Sequence, residues 1–83
     1  MSYEKVKQAV RLTIGLKQSL KAMERDDVKE VLIAKDADKH IQDKLVRYSK
    51  EKNVPITFVE SKKQLGKACG IDVGTATVAI LKE

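Results

Sequence analysis

The feature that most constrains this chain is the interval between two short runs that read as strands. Val28 to Ala34 ends in four consecutive apolar residues, Val31, Leu32, Ile33 and Ala34, which suits a strand buried on both faces. Ile56 to Val59 is a second run rich in β-branched and aromatic residues. Between them, residues 39–52 carry Ile41, Leu45 and Tyr48 at helical spacing. Asp38 stands where a helix cap belongs, and Pro55 stops the helix from continuing. Strand, helix, strand at this spacing is a βαβ unit. It predicts parallel strands and a right-handed crossover.

The flanking segments alternate in the same way. Residues 3–12 read as an amphipathic helix with Val6, Ala9, Val10 and Thr13 inward and Lys5, Lys7 and Arg11 outward. Thr13-Ile14-Gly15 is a β-branched break that suits a very short strand. A helix over residues 16–25 follows, ended by the polar turn Arg25-Asp26-Asp27. Ser61 and Gln64 have capping-box spacing, which opens a short helix to about Cys69 with Leu65, Ala68 and Cys69 inward. Gly70 ends it, residues 71–74 form a loop, and Thr75 to Lys82 is the last strand. The expected architecture is α/β: a three-layer α-β-α sandwich around a small mixed sheet. At 83 residues it is one domain, spanning residues 1–83.

Composition narrows the chemistry. Seventeen Lys and Arg against twelve Asp and Glu leave a formal charge of +5, which favours an anionic partner. One cysteine, Cys69, allows no intrachain disulfide, and with the single His40 it cannot make a zinc site of the usual ligand count. The first residues are charged and lack an apolar core, so no signal peptide is expected. The longest apolar run, Val78 to Leu81, is too short to span a bilayer. A cytoplasmic, reducing setting fits, with no cofactor, metal or membrane.

Few residues invite catalysis. Asp36 and Asp38 sit at a strand end, but one caps a helix and the other is solvated. Neither a nucleophile nor a cofactor loop accompanies them. Ser61 is explained by capping, His40 by exposure early in a helix, and Cys69 by packing. The glycines from Gly66 onward are spaced like a phosphate loop but lack its Gly-Lys-Ser/Thr ending, and they follow a helix. Gly15 to Lys21 is different. Leu16, Leu20 and Met23 share one helical face; Lys17, Gln18 and Lys21 share another, beside a helix N-terminus whose free N–H groups suit phosphate. An amide can both donate to and accept from a base edge. This combination suits nucleic acid, although an ordinary solvated face would look the same.

Three stretches carry a resemblance: Gly15-Leu-Lys-Gln-Ser-Leu-Lys-Ala22, Val31-Leu-Ile-Ala-Lys-Asp-Ala-Asp38, and Val59-Glu-Ser-Lys-Lys-Gln-Leu-Gly-Lys-Ala-Cys-Gly-Ile71. Together they resemble the kink-turn RNA-binding family. That family includes an archaeal large-subunit ribosomal protein that also serves in modification-guide RNA particles. Within the family the chain is most similar to the small bacterial YbxF-like ribosomal-protein homologues. The resemblance covers nearly the whole chain.

What it implies is a non-enzymatic protein that binds a sharply bent RNA helix with tandem sheared G·A pairs. The family reads those guanines from a helix N-terminus, which here begins at Gly15, with Asn, Glu and Lys in archaeal members. The matching residues are Lys17, Gln18 and Lys21, so two of the three differ in type. Gln18 keeps an acceptor but loses the charge. Lys17 can donate to a guanine edge or to phosphate. A second implied contact is an apolar loop over Gly70, Ile71, Asp72, Val73, Gly74 and Thr75, with Ile71 and Val73 packing on bulged nucleotides. Lys35 and Asp36 match a further surface near the RNA, and Lys62, Lys63 and Lys67 are candidates for phosphate contacts. The implied RNA is ribosomal, a riboswitch or another regulatory RNA, with the ribosome as a partner to consider and a monomer as the expected state. Two rivals remain. One is a protein-interaction module on the same fold with weak, non-specific RNA affinity. The other is a small enzyme using Asp36 and Asp38.

Overall fold

The computed structural model describes residues 2–83, so Met1 of the expected domain lies outside the described residues. The elements are α1 (Ser2–Gln8), β1 (Leu12–Ile14), α2 (Leu16–Glu24), β2 (Val28–Ala34), α3 (Lys39–Glu51), β3 (Ile56–Val59), α4 (Lys62–Ala68) and β4 (Thr77–Leu81). The four strands form one mixed sheet in the order β1-β4-β2-β3. As the βαβ spacing predicts, β2 and β3 are parallel, with Val31 opposite Ile56 and Ala34 opposite Val59. Both other pairings, β2 with β4 and β1 with β4, are antiparallel.

Period-two alternation sends each central strand's side chains to two cores. Leu32, Ala34, Val78 and Ile80 pack under α1 and α4 with Val6, Val59 and Leu65. Val31, Ile33, Ala79 and Leu81 pack under α2 and α3 with Ala22, Met23 and Leu45. Two helices on each face give the three layers expected. Because β2 and β4 are covered on both sides, their sequences read as almost unbroken apolar runs.

Three helices end in the same way. Asp26 (φ 56°), Asn53 (φ 58°) and Gly70 (φ 81°) take the left-handed conformation just past α2, α3 and α4. In each case the next residue's N–H bonds back five residues: Asp27 to Ala22, Val54 to Ser49 and Ile71 to Gly66. These are Schellman closures, which satisfy carbonyls at the helix end. Asp, Asn and Gly are the residues that enter this backbone region most readily.

The first helix departs from expectation. It stops at Gln8, not near residue 12, and Val10 is 76% exposed instead of packing inward. The apolar spacing at 6, 9, 10 and 13 fits a helix, but the β-branched Thr13 and Ile14 are recruited by β4. The chain must turn before Leu12, and Val10 lies in that turn. Arg11 then holds the far end of the sheet: its guanidinium donates to the Lys82 carbonyl at 3.0 Å and to Asp27 at 3.2 Å. α1 itself is fastened through Lys5, whose ammonium lies 3.2 Å from Glu30 on β2; Glu30 also accepts from the Thr57 hydroxyl on β3.

Candidate nucleic-acid interface

Hydrogen bonds gather the start of α2, the ends of β2 and β3, the start of α4 and the loop before β4 at one end of the sheet. Gly15 N–H donates to Thr77 O at 3.0 Å. Ala34 N–H donates to Ala76 O at 2.9 Å, and Lys35 N–H to Val59 O at 2.8 Å. Stretches separated by up to about three quarters of the chain therefore form one edge. This is the C-terminal edge of the parallel pair, where α/β sheets commonly bind ligands.

Gly15 caps α2 with φ 97° and ψ 164°, a backbone that side-chain-bearing residues rarely adopt. A Cβ there would meet nothing within 4 Å, so backbone angle and not crowding calls for glycine. No side chain accepts from the first N–H groups of α2 among the described residues. Those donors are left for an external acceptor, beside a positive helix end. Ser19 is buried and lies 3.3 Å from the Thr13 hydroxyl, and Leu16 and Leu20 are half-buried, which fixes the rotation of α2. Lys17, Gln18 and Lys21 are consequently all exposed on the opposite face, as their spacing predicts.

The loop before β4 is held mainly by backbone. Asp36 accepts from Lys62 N–H at 2.8 Å, and Lys62 O accepts from Thr75 N–H at 3.1 Å. Lys62 thus joins the β2–α3 loop to the loop before β4. Gly66, buried in α4, lies so close to that loop that a Cβ would sit 2.0 Å from the Val73 carbonyl oxygen. Gly74 packs against Lys62, where a Cβ would lie 3.1–3.2 Å from its atoms. Val73 is pushed outward and is 69% exposed, whereas Ile71 is half-buried. Asp72 is exposed.

The candidate residues therefore divide. Gly15, Lys17 and Gln18 stand at the start of α2 on this edge, with Lys21 on the same exposed face in the last turn; Val73 lies in the loop before β4, and Lys35 follows β2, its ammonium 4.0 Å from an exposed Glu60, a weakly held contact. Asp36 and Thr75 take positioning roles: Asp36 binds the start of α4, and buried Thr75 donates its hydroxyl to Thr77 O at 2.9 Å. Lys62 and Lys63 occupy the first turn of α4; Lys67 lies in its last turn, lining a groove with Tyr3 and Lys7. Gly70 contributes the left-handed closure of α4.

The sequence did not reveal the contact of Gly66 with Val73, although a glycine inside an amphipathic helix is the signal for such an approach. Nor did it reveal the cap of α4 in full. Ser61 Oγ accepts from Gln64 N–H at 3.1 Å, as its spacing predicts, but Ser61 N–H donates to the Tyr3 hydroxyl at 3.3 Å, a partner 58 residues away. Asp38 caps α3 through His40 N–H at 2.8 Å. The two aspartates of the catalytic alternative are thus both engaged by backbone N–H groups. Cys69 is half-buried at the end of α4, and burial raises its thiol pKa above the usual cysteine value. Among the described residues no helix is long and apolar enough to cross a membrane.

Comparison with known proteins agrees with this fold. The family model of the ribosomal protein L7Ae/L30e/S12e/Gadd45 family matches residues 2–83. An RNA-binding protein of Halalkalibacterium halodurans is 57% identical over 99% of this chain and all of its own length. The RNA-binding protein YbxF of Geobacillus stearothermophilus is 51% identical over the same share of each. Among solved structures, the 15.5 kD RNA-binding protein of Giardia lamblia superposes with a TM-score of 0.88 at 34% identity, covering 99% of this chain and 72% of that one. With a full-length family match and relatives more than half identical, the chain belongs to the ribosomal protein L7Ae/L30e/S12e/Gadd45 family.

Proposed function

We propose that this protein binds RNA without catalysing a reaction, and that its target is a kink-turn held in the sharply bent form. The observation that carries the reading is the pairing, on one sheet edge, of an uncapped α2 N-terminus flanked by exposed Lys17, Gln18 and Lys21 with an outward Val73 on a backbone-pinned loop. The RNA-binding relatives at 57% and 51% identity support the RNA class. The bent geometry and the G·A pairs come from the family resemblance.

In this reading each part has a chemical task. Lys17 and Lys21 donate to guanine O6 and N7 or to phosphate, and the Gln18 side-chain oxygen accepts from a guanine N–H. The free N–H groups of α2 take a phosphate oxygen. Val73 packs on a bulged base that is splayed out of the helix, as is usual where RNA is read specifically. Lys35, Lys62 and Lys63 add salt-dependent phosphate contacts. A bulged RNA helix samples straight and bent states, and a protein that binds only the bent one shifts the population toward it. The native RNA is ribosomal, riboswitch or another regulatory RNA carrying this bend.

The test is a kink-turn duplex labelled with a fluorophore pair on its two arms, in buffer without divalent ions so that the straight form dominates. Addition of the protein should raise energy transfer in a saturable way. Binding that leaves transfer unchanged would mean that the protein does not select the bend.

A further inference from the structure

We propose that the RNA-binding surface continues off the sheet edge into the groove between α1 and α4, which takes a single-stranded extension flanking the bound helix. The inference rests on the functional reading above and extends it from Lys67 to Tyr3, Lys7 and Gln64, which have no place in that reading. The groove has a volume of about 440 Å³ and is lined by Tyr3, Lys7, Gln64, Lys67 and Ala68. Both lysines are exposed, and neither belongs to an ion pair among the described residues. Among the described residues no carboxylate lines it.

The capping arrangement of α4 shapes this groove. In a full capping box the Gln64 side chain would return to Ser61 N–H. Here the Tyr3 hydroxyl accepts from that N–H instead. One substitution of partners has two effects: the Tyr3 ring is fixed along the groove, and the Gln64 amide is left to line it. The result is an aromatic surface, an amide and two ammonium groups. That set suits single-stranded nucleic acid, in which bases stack on aromatic rings while lysines follow the phosphates. Another groove, between α1 and the far end of the sheet, lacks this character. Its charged lining is the paired Lys5 and Glu30 with Lys29 and Glu83, so it presents two carboxylates to any phosphate and contains no aromatic ring among the described residues. Continuity with the sheet edge comes from Ser61 itself, which caps α4 next to Lys62 and meets Tyr3.

The experiment compares a blunt kink-turn duplex with four versions, each bearing a six-nucleotide single-stranded extension on one strand end. Affinity is measured for each between 50 and 200 mM salt. A control duplex with Watson–Crick pairs in place of the G·A pairs carries the same extensions. One extension should tighten binding by about fivefold or more, the lower end of what one stacked base contributes. It should also steepen the logarithmic salt dependence by about 1.4, for two phosphates on a single strand. Lys7→Gln should lose about half of that added slope and leave the blunt duplex unaffected. Lys29→Gln, an equal loss of charge at an exposed position near the start of β2, at the far end of the sheet, should keep the gain. No gain from any extension, or equal effects of the two variants, would overturn the proposal. So would polyglutamate competing as well as single-stranded RNA, since the groove would then fit an acidic protein segment. Failure of the kink-turn reading shows separately, as equal binding of the blunt duplex and its Watson–Crick control.

Discussion

Gly66→Ala should separate the loop's position from every other property of the site. Gly66 has ordinary helical φ, so alanine gains about 0.8–1 kcal/mol of helix propensity there. Against this, the added Cβ would lie 2.0 Å from the Val73 carbonyl oxygen, 3.0 Å from its carbon and 3.1 Å from Gly74 Cα. All three are backbone atoms and cannot rotate away. To restore ordinary contact near 3.4 Å, the loop must retreat by more than an ångström. Overpacking of this kind costs about 1–3 kcal/mol, and rigid backbone neighbours place it in the upper part of that range. The net loss should be about 1–2 kcal/mol, which for a domain of this size lowers Tm by roughly 5–15 °C. Thermal unfolding followed by far-UV circular dichroism measures it. The displaced Val73 should also weaken kink-turn binding by about tenfold, about 1.4 kcal/mol, measured well below the variant's Tm. A variant as stable as the parent, with unchanged affinity, would refute the packing of α4 against this loop.

Four other outcomes are expected. Val73→Asp should cut kink-turn affinity by about tenfold yet move Tm by under about 4 °C, because surface substitutions at exposed positions rarely exceed about 0.5 kcal/mol; a large stability loss would contradict its exposure. Asp36→Ala should cost about 1 kcal/mol in urea unfolding by removing the acceptor for Lys62 N–H. An unchanged midpoint would mean that the bond contributes nothing. Gln18→Glu restores a charged acceptor and should tighten binding to a kink-turn while increasing discrimination against Watson–Crick replacements, since charge-assisted hydrogen bonds are roughly twice as strong as neutral ones. Weaker, less selective binding would remove Gln18 from the guanine contact. Burial raises the pKa of Cys69, so less thiolate is present at any given alkaline pH; alkylation at pH 8 should be slower than for a free thiol and should keep rising above the ordinary cysteine pKa. A rate profile with a midpoint below that of a free thiol would contradict the burial.

The fold was legible wherever a local pattern coincided with a tertiary requirement. Val31 to Ala34, the Asp38 cap and Pro55 pointed together to the parallel pair, and the register of β2 on β3 agrees. Where the two conflicted, tertiary pairing prevailed. Positions 6, 9, 10 and 13 have helical spacing, but β4 draws Leu12 to Ile14 into the sheet and leaves Val10 in a turn. In the candidate site, helical periodicity was enough to expose Lys17, Gln18 and Lys21 together. Which loop would lie beside them was not readable from any local pattern, because the contacts that hold it bridge distant stretches: Asp36 to Lys62, Lys62 to Thr75, and Gly66 to Val73. Tyr3 and Ser61 make the same point, since no local pattern links residues 58 apart.

The most direct test is a titration at fixed salt of a kink-turn hairpin against the same hairpin with both G·A pairs replaced by Watson–Crick pairs. The account predicts strong preference for the first, lost on removing Lys17, Gln18 and Lys21 together. Equal affinity for the two hairpins would mean that the +5 charge alone carries the binding, and would contradict the assignment of this edge to guanine recognition.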